Sequence, residues 1–214
     1  DPDESRRLHV GFSAGRFEFM ARPYGVVPRD SVEEAAWPAL RGQVFAEASE
    51  IFLRLLNGEA ISSDMIQPTV LTRSNFRSDK DWGKVQQAAV ECRGLEGVPD
   101  EVPIERRYSF EEIKTIPQEW RRELLNLVLG SHDPKLQAEV NKLRPVQVFN
   151  LSITPAHVIE ETHARFTEHY HPDGGPWERS MMPRTIMVFV NDEEGLTPDE
   201  QSAAAMEEAK AALS

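Results

Sequence analysis

Residues 127–134, LVLGSHDP, join an apolar run of strand length to Gly-Ser-His and then to Asp-Pro. Aspartate before proline is a helix-start signal. The carboxylate accepts from an orphan backbone N–H, and proline at the first helical position has no N–H to leave unsatisfied. The same punctuation recurs as VFNLSITP at 148–155 and, more loosely, as VFVNDEEGLTP at 188–198. The runs at 124–129, 146–151 and 185–190 have the length and Val/Leu/Ile/Phe content of strands buried on both faces. The helices they launch read PKLQAEVNKL, PAHVIEETHARFTEHY and PDEQSAAAMEEAKAAL, the second with Val158, Ile159, Thr162 and Phe166 on one side. Strand, short loop and helix in repeated order predict parallel strands with right-handed helical crossovers, hence an α/β fold. A barrel and an open sheet both satisfy that pattern.

Upstream, RRLHVGFSAGRFEF at 6–19 predicts a short strand over 8–12 that runs into a loop at Ser13-Ala14-Gly15. Residues 20–41 carry Pro23, Gly25, Pro28 and Pro38, which predicts an excursion with at most a short helix begun by the pair Ser31 and Glu34. In QVFAEASEIFLRLLNGE at 43–59, Val44, Phe45, Ala48, Ile51, Phe52, Leu55 and Leu56 recur every three or four residues, and Gly58 stands where a left-handed turn would end a helix. The polar stretch 60–108 reads as an insertion holding one helix from about Asp79 to Val90. Ser109 with Glu112 predicts a further helix at FEEIKTI, broken or restarted at Pro117 before EWRRELL.

The 214 residues, 40% hydrophobic and 28% charged, suit a single domain over 1–214 with a buried core. A formal net charge of −12 argues against nucleic acid and anionic membranes as partners, since phosphate backbones attract basic faces. Cys92 is the one cysteine, so no disulfide framework is expected and a reducing, cytoplasmic location is the simplest assumption. No apolar run reaches the ~20 residues that span a bilayer, and the start DPDESRRLHV has neither signal-peptide nor anchor pattern.

In parallel α/β folds ligands gather where strands end and helices begin, because helix N-termini offer free N–H groups with partial positive charge. Gly130 would let a ligand approach the backbone, and the Ser131 hydroxyl with the N–H groups that follow could hold phosphate oxygens. Neither a Walker lysine pattern nor GxGxxG is present.

Three segments, RRLHVGFSAGRFEFMARPYGV, FAEASEIFLRLLNGEAI and LNLVLGSHDPKLQAEV, resemble in order and spacing a strand, the helix after it, and a later strand ending in Gly-Ser. That is the pattern of the luciferase-like flavin-dependent oxidoreductases, the family of bacterial luciferase, alkanesulfonate monooxygenases and F420-dependent enzymes. PRTIMVFVNDEEGLTPDEQSAAA is similar to the family's later strand and helix, whereas 60–108 matches poorly. The resemblance implies a (β/α)8 TIM-type barrel. About four of its eight core strands are recognisable here, with no counterpart of the family's first three before residue 6. It implies FMN or coenzyme F420 as cofactor, with Gly130, Ser131 and His132 near the phosphate and Gly15 and Arg16 facing the cofactor or substrate cavity. The implied activity is an oxidoreductase or monooxygenase reaction on a small organic substrate. An incomplete barrel would leave sheet edges uncovered, which predicts a homo-oligomer such as a dimer. From another class, a non-catalytic flavin- or phosphate-binding protein that oligomerises through such a barrel fits the same segments.

Other chemistry is weaker. His163 and His169 lie six residues apart, about 240 degrees around a helix at ~100 degrees per residue, so no metal site is expected there. Phe17, Phe19, Tyr24, Trp37 and Phe45 read as core before they read as a substrate wall. Ser13, Ser131 and Ser152 lack a nucleophile-elbow context, and no catalytic acid or base stands out.

Overall fold

The computed structural model describes residues 6–14 and 22–213. In chain order the elements are β1 (Leu8–Phe12), α1 (Ser31–Leu56), β2 (Val70–Leu71), α2 (Asp79–Arg93), β3 (Val102–Pro103), β4 (Leu125–Leu129), α3 (Pro134–Leu143), β5 (Val146–Val148), α4 (Ala156–His169) and α5 (Pro198–Leu213).

The expected parallel strands form where the apolar runs lie. β1, β4 and β5 make a three-stranded parallel sheet in the order β1-β4-β5, with Phe12 opposite Leu129 and Leu129 opposite Val148. Alternate residues point to one face. Leu127, Leu129 and Val146, with Val10 and Phe12 beside them, pack on Leu53 and Leu56 of α1 and on Leu136 and Val140 of α3. Each such aliphatic side chain removed from water contributes roughly 1.5–3 kcal/mol. The opposite face is polar towards the strand starts: Asn126 Nδ2 lies 2.9 Å from His9 Nδ1 and donates to Gln147 Oε1 at 3.1 Å. Burial on both faces, expected along the runs, is met only at the end of β4, where Val128 is buried on the face opposite Leu127 and Leu129.

The (β/α)8 TIM-type barrel, expected in partial form with about half its strands, is corrected by this topology. Among the described residues the parallel sheet has three strands and is open, and a separate two-stranded antiparallel pair joins β2 to β3. Two causes are visible. The chain between β1 and β4 is spent on helices and on that antiparallel pair, which build their own core. The run 185–190 meets the sheet only through a bridge from Arg184 to Asn150. Beyond it Ile186, Met187, Val188 and Val190 remain exposed, and no side chain described on α5 is buried.

α1 overturns the expected break between residues 41 and 43. It runs unbroken for 26 residues through Pro38, although proline leaves the Glu34 carbonyl without its helical donor. Packing on both sides of the proline outweighs that cost: Val32, Ala36, Trp37 and Leu40 join Leu71, Trp82, Val85, Ala89, Val102 and Ile104 in one cluster. The stretch 60–108 thus folds onto the first half of α1. The N-cap is Asp30 in place of Ser31, accepting from Glu33 N at 2.8 Å. Gly58, at φ 83°, takes the left-handed turn expected after the helix.

Glu33 is the charged member of this region, 3% exposed. It accepts from Arg29 Nε and Nη2 at 2.8 and 2.6 Å and from Arg107 Nη2 at 2.6 Å. Those guanidiniums also donate to the carbonyls of Glu105, Arg106 and Val27. The carboxylate staples the 104–107 segment to the start of α1.

No helix forms at FEEIKTI. Its backbone groups are taken by an antiparallel bridge between Ile61 and Ile113, and Phe110 exchanges bonds with Ser63. A third cluster unites Val148, Phe166 and Met182 with Ile159, Tyr170 and Trp177. The Phe166 and Trp177 ring centroids are 4.6 Å apart, and Trp177 Nε1 donates to His163 Nδ1 at 2.9 Å.

Candidate functional site

Parallel pairing brings the ends of β1, β4 and β5 to one rim. Gly130 N donates to the Phe12 carbonyl at 2.8 Å, and Phe149 N donates to that of Leu129 at 2.9 Å. A Cβ on Gly130 would stand 2.8 Å from Ser13 Cβ. Glycine at 130 is thus required by the loop after β1, which fills the space a side chain would need. The backbone there is not left-handed, so the reason is steric alone.

Of the residues singled out in the sequence, Gly130, Ser131 and His132 lie on this rim beside Ser13. Gly15 and Arg16 lie outside the described residues. His132 Nε2 is 3.3 Å from Thr154 Oγ1, which ties the turn after β4 to the turn after β5. His132 keeps a large accessible surface, yet its ring is sunk far enough that loss of solvent lowers its pKa. The neutral ring is favoured near pH 7.

The two helix starts at this rim differ. Asp133 caps α3, its Oδ1 accepting from Lys135 N and Leu136 N at 2.9 and 3.4 Å. Ser131 Oγ accepts from Asp133 N at 3.2 Å, and the Ser131 carbonyl accepts from the buried Gln137 at 2.8 Å. The N–H groups of α3 are satisfied within the chain. α4 begins at Ala156 after Pro155 and has no side-chain cap, because Thr154 Oγ1 turns back to accept from Leu151 N at 3.0 Å. The uncapped N-terminus, with the exposed Ala156 and His157, leaves the first N–H groups of α4 without a side-chain partner.

Changing Asp133 to alanine separates stability from binding. Loss of the cap is expected to cost about 1 kcal/mol, read as a lower melting temperature. Removal of the carboxylate from the rim should at the same time strengthen inorganic phosphate binding in a calorimetric titration. A variant weaker in both would argue against an anion site beside α3.

Asn150 and Arg184 escaped sequence reasoning. Asn150 ends the VFN run and is 1% exposed. Its backbone pairs with Pro183 and Thr185, Arg184 Nη2 donates to the Ser152 carbonyl at 2.6 Å, and Ser152 N donates to Thr185 Oγ1 at 2.9 Å. A polar residue closing an apolar run was the available signal.

Among the described residues no group of three or more His, Cys, Asp or Glu side chains could hold a metal ion, and no helix is long and apolar enough to cross a membrane. Comparison with protein families, with curated proteins and with solved structures gives no match for this chain.

Proposed function

We propose that the chain binds a flavin, FMN or coenzyme F420, by its phosphate at the rim after β4 and β5, and acts as an oxidoreductase or monooxygenase on a small organic substrate. The observation that carries this reading is the convergence of Ser13, Gly130, Ser131, His132 and Thr154 at the ends of parallel strands, beside the uncapped start of α4. The residues fit a phosphate: a hydroxyl on Ser131, an imidazole on His132 and unpaired N–H groups in the first turn of α4. The flavin would supply the redox chemistry, while the protein positions it and sets the local field.

Titration of FMN and of F420, followed by absorbance and fluorescence, tests the proposal. Saturable binding of one of them is expected. Ser131→Ala should weaken it by about tenfold, the worth of a hydrogen bond to a charged group. Binding of neither flavin refutes the proposal, and unchanged affinity in the variant removes Ser131 from the site.

The exposed run at Ile186, Met187, Val188 and Val190 favours a second reading, a flavin- or phosphate-binding protein without turnover that dimerises along this open edge. Concentration-dependent dimerisation in light scattering, together with flavin binding but no turnover, would select it over the first.

A further inference from the structure

Behind the rim, between α4 and the segment 179–184, lies a cleft of about 280 Å³ lined by Asn150, Ile159, Glu160, Arg179, Met182 and Arg184. At the ~30 Å³ of a liquid water that is room for roughly nine water-sized atoms, so it suits a metabolite smaller than a flavin.

Its chemistry is uneven. Arg179 Nη1 and Nη2 grip Glu160 Oε1 and Oε2 at 2.9 and 2.5 Å, so these two charges neutralise one another. Glu160 is accordingly held below the usual carboxylate pKa range by Arg179. Among the described residues Arg184 faces no carboxylate, and its side chain donates to the Ser152 carbonyl. One positive charge is left over in a chain whose formal net charge is −12. Asn150, which lines the cleft, has an almost wholly buried side chain, and its Oδ1 has no hydrogen-bond partner among the described residues. Buried polar atoms are rarely left unpaired, and such an orphan marks a place where a ligand group completes the set. Ile159 and Met182 supply an apolar wall.

We infer that this cleft binds a short aliphatic 2-hydroxycarboxylate: the carboxylate pairs with Arg184, the hydroxyl donates to Asn150 Oδ1, and the alkyl chain lies on Ile159 and Met182. One unmatched cation calls for one negative charge. The Asn150 acceptor calls for a donor near that charge. With Glu160 already neutralised by Arg179, the donor is an uncharged hydroxyl in preference to an ammonium. Planar guanidinium geometry favours a carboxylate. The site stands independently of the flavin reading, since it uses neither Ser131 nor His132.

The test is an NMR titration of the full chain with 2-hydroxybutyrate, butyrate and 2-aminobutyrate, watching the Asn150 side-chain amide and the backbone of 156–160. Saturable shifts with 2-hydroxybutyrate are expected. Butyrate, which lacks the donor, should bind about tenfold more weakly, and Arg184→Gln should weaken 2-hydroxybutyrate by a similar factor. The melting temperature of Arg184→Gln should stay near the parent's, because the side chain is exposed. No saturable shift at these positions, equal affinity for butyrate, or equal affinity in Arg184→Gln overturns the assignment. Tighter binding of 2-aminobutyrate overturns the uncharged donor. FMN titration on the same sample keeps the two sites distinct, since loss of either response leaves the other readable.

Discussion

Replacing Glu33 with alanine is expected to lower the unfolding free energy by about 3 kcal/mol, the lower end of the loss when one member of a buried ion pair is removed. The lower end applies because Glu33 is 3% exposed while the Arg29 and Arg107 side chains are 35% and 18% exposed, so water can partly re-solvate them. The carboxylate is the shared acceptor of both guanidiniums and of Arg29 N, and three donor groups lose a partner at once. Burial lowers the Arg107 pKa and the Glu33 charge opposes that shift, while the hydrogen bond to Glu33 raises the Arg29 pKa. Urea denaturation should show the midpoint falling with an unchanged slope. Glu33→Gln, which keeps the shape and one carbonyl acceptor, should lose less. If the alanine variant loses under about 1 kcal/mol, well below the buried-pair range, the carbonyls of Val27, Glu105 and Arg106 suffice to hold the arginines.

Gly130→Ala is expected to cost about 2 kcal/mol, within the range for forcing an extra methyl group into packed space. The new Cβ would lie 2.8 Å from Ser13 Cβ and 3.5 Å from the Phe12 carbonyl, and the first of these contacts cannot stand without a shift of the loop after β1 or of the turn at 130. The double variant Gly130→Ala with Ser13→Gly removes the clashing atom and should recover most of the loss. Melting temperatures of the four proteins in that cycle decide the matter. A single variant as stable as the parent would mean that the loop after β1 yields freely. A double variant as weak as the single would place the cost elsewhere.

Much of the sheet and its flanking helices could be read from residue order alone. β1 occupies the five residues expected of it, and α3 runs from Pro134 as the Asp-Pro signal required. In both cases local signals and tertiary packing agree. They part at α1, where local chemistry says stop at Pro38 and the cluster around Val32, Ala36 and Leu40 says continue. They part again at 109–116, where the capping pair Ser109 and Glu112 is overruled by pairing of Ile113 with Ile61. The run 185–190 carried every mark of an inner strand, yet composition cannot tell a chain whether a partner edge lies beside it. Of the site, the meeting of Ser13 with Gly130 follows from parallel order. The Asn150 cleft does not, because it needs Arg184, brought in by a backbone bridge that leaves no periodic trace.

α1 serves two cores with one rod. Its first half is gripped by α2 and the antiparallel pair, its second by the parallel sheet. The two cores are thus joined by one continuous helix, and a change that frees α1 from either removes a wall from both. The missing backbone bond opposite Pro38 falls within the half of the rod that α2 and the antiparallel pair hold, beside the buried Trp37, so packing there takes over what the backbone lacks.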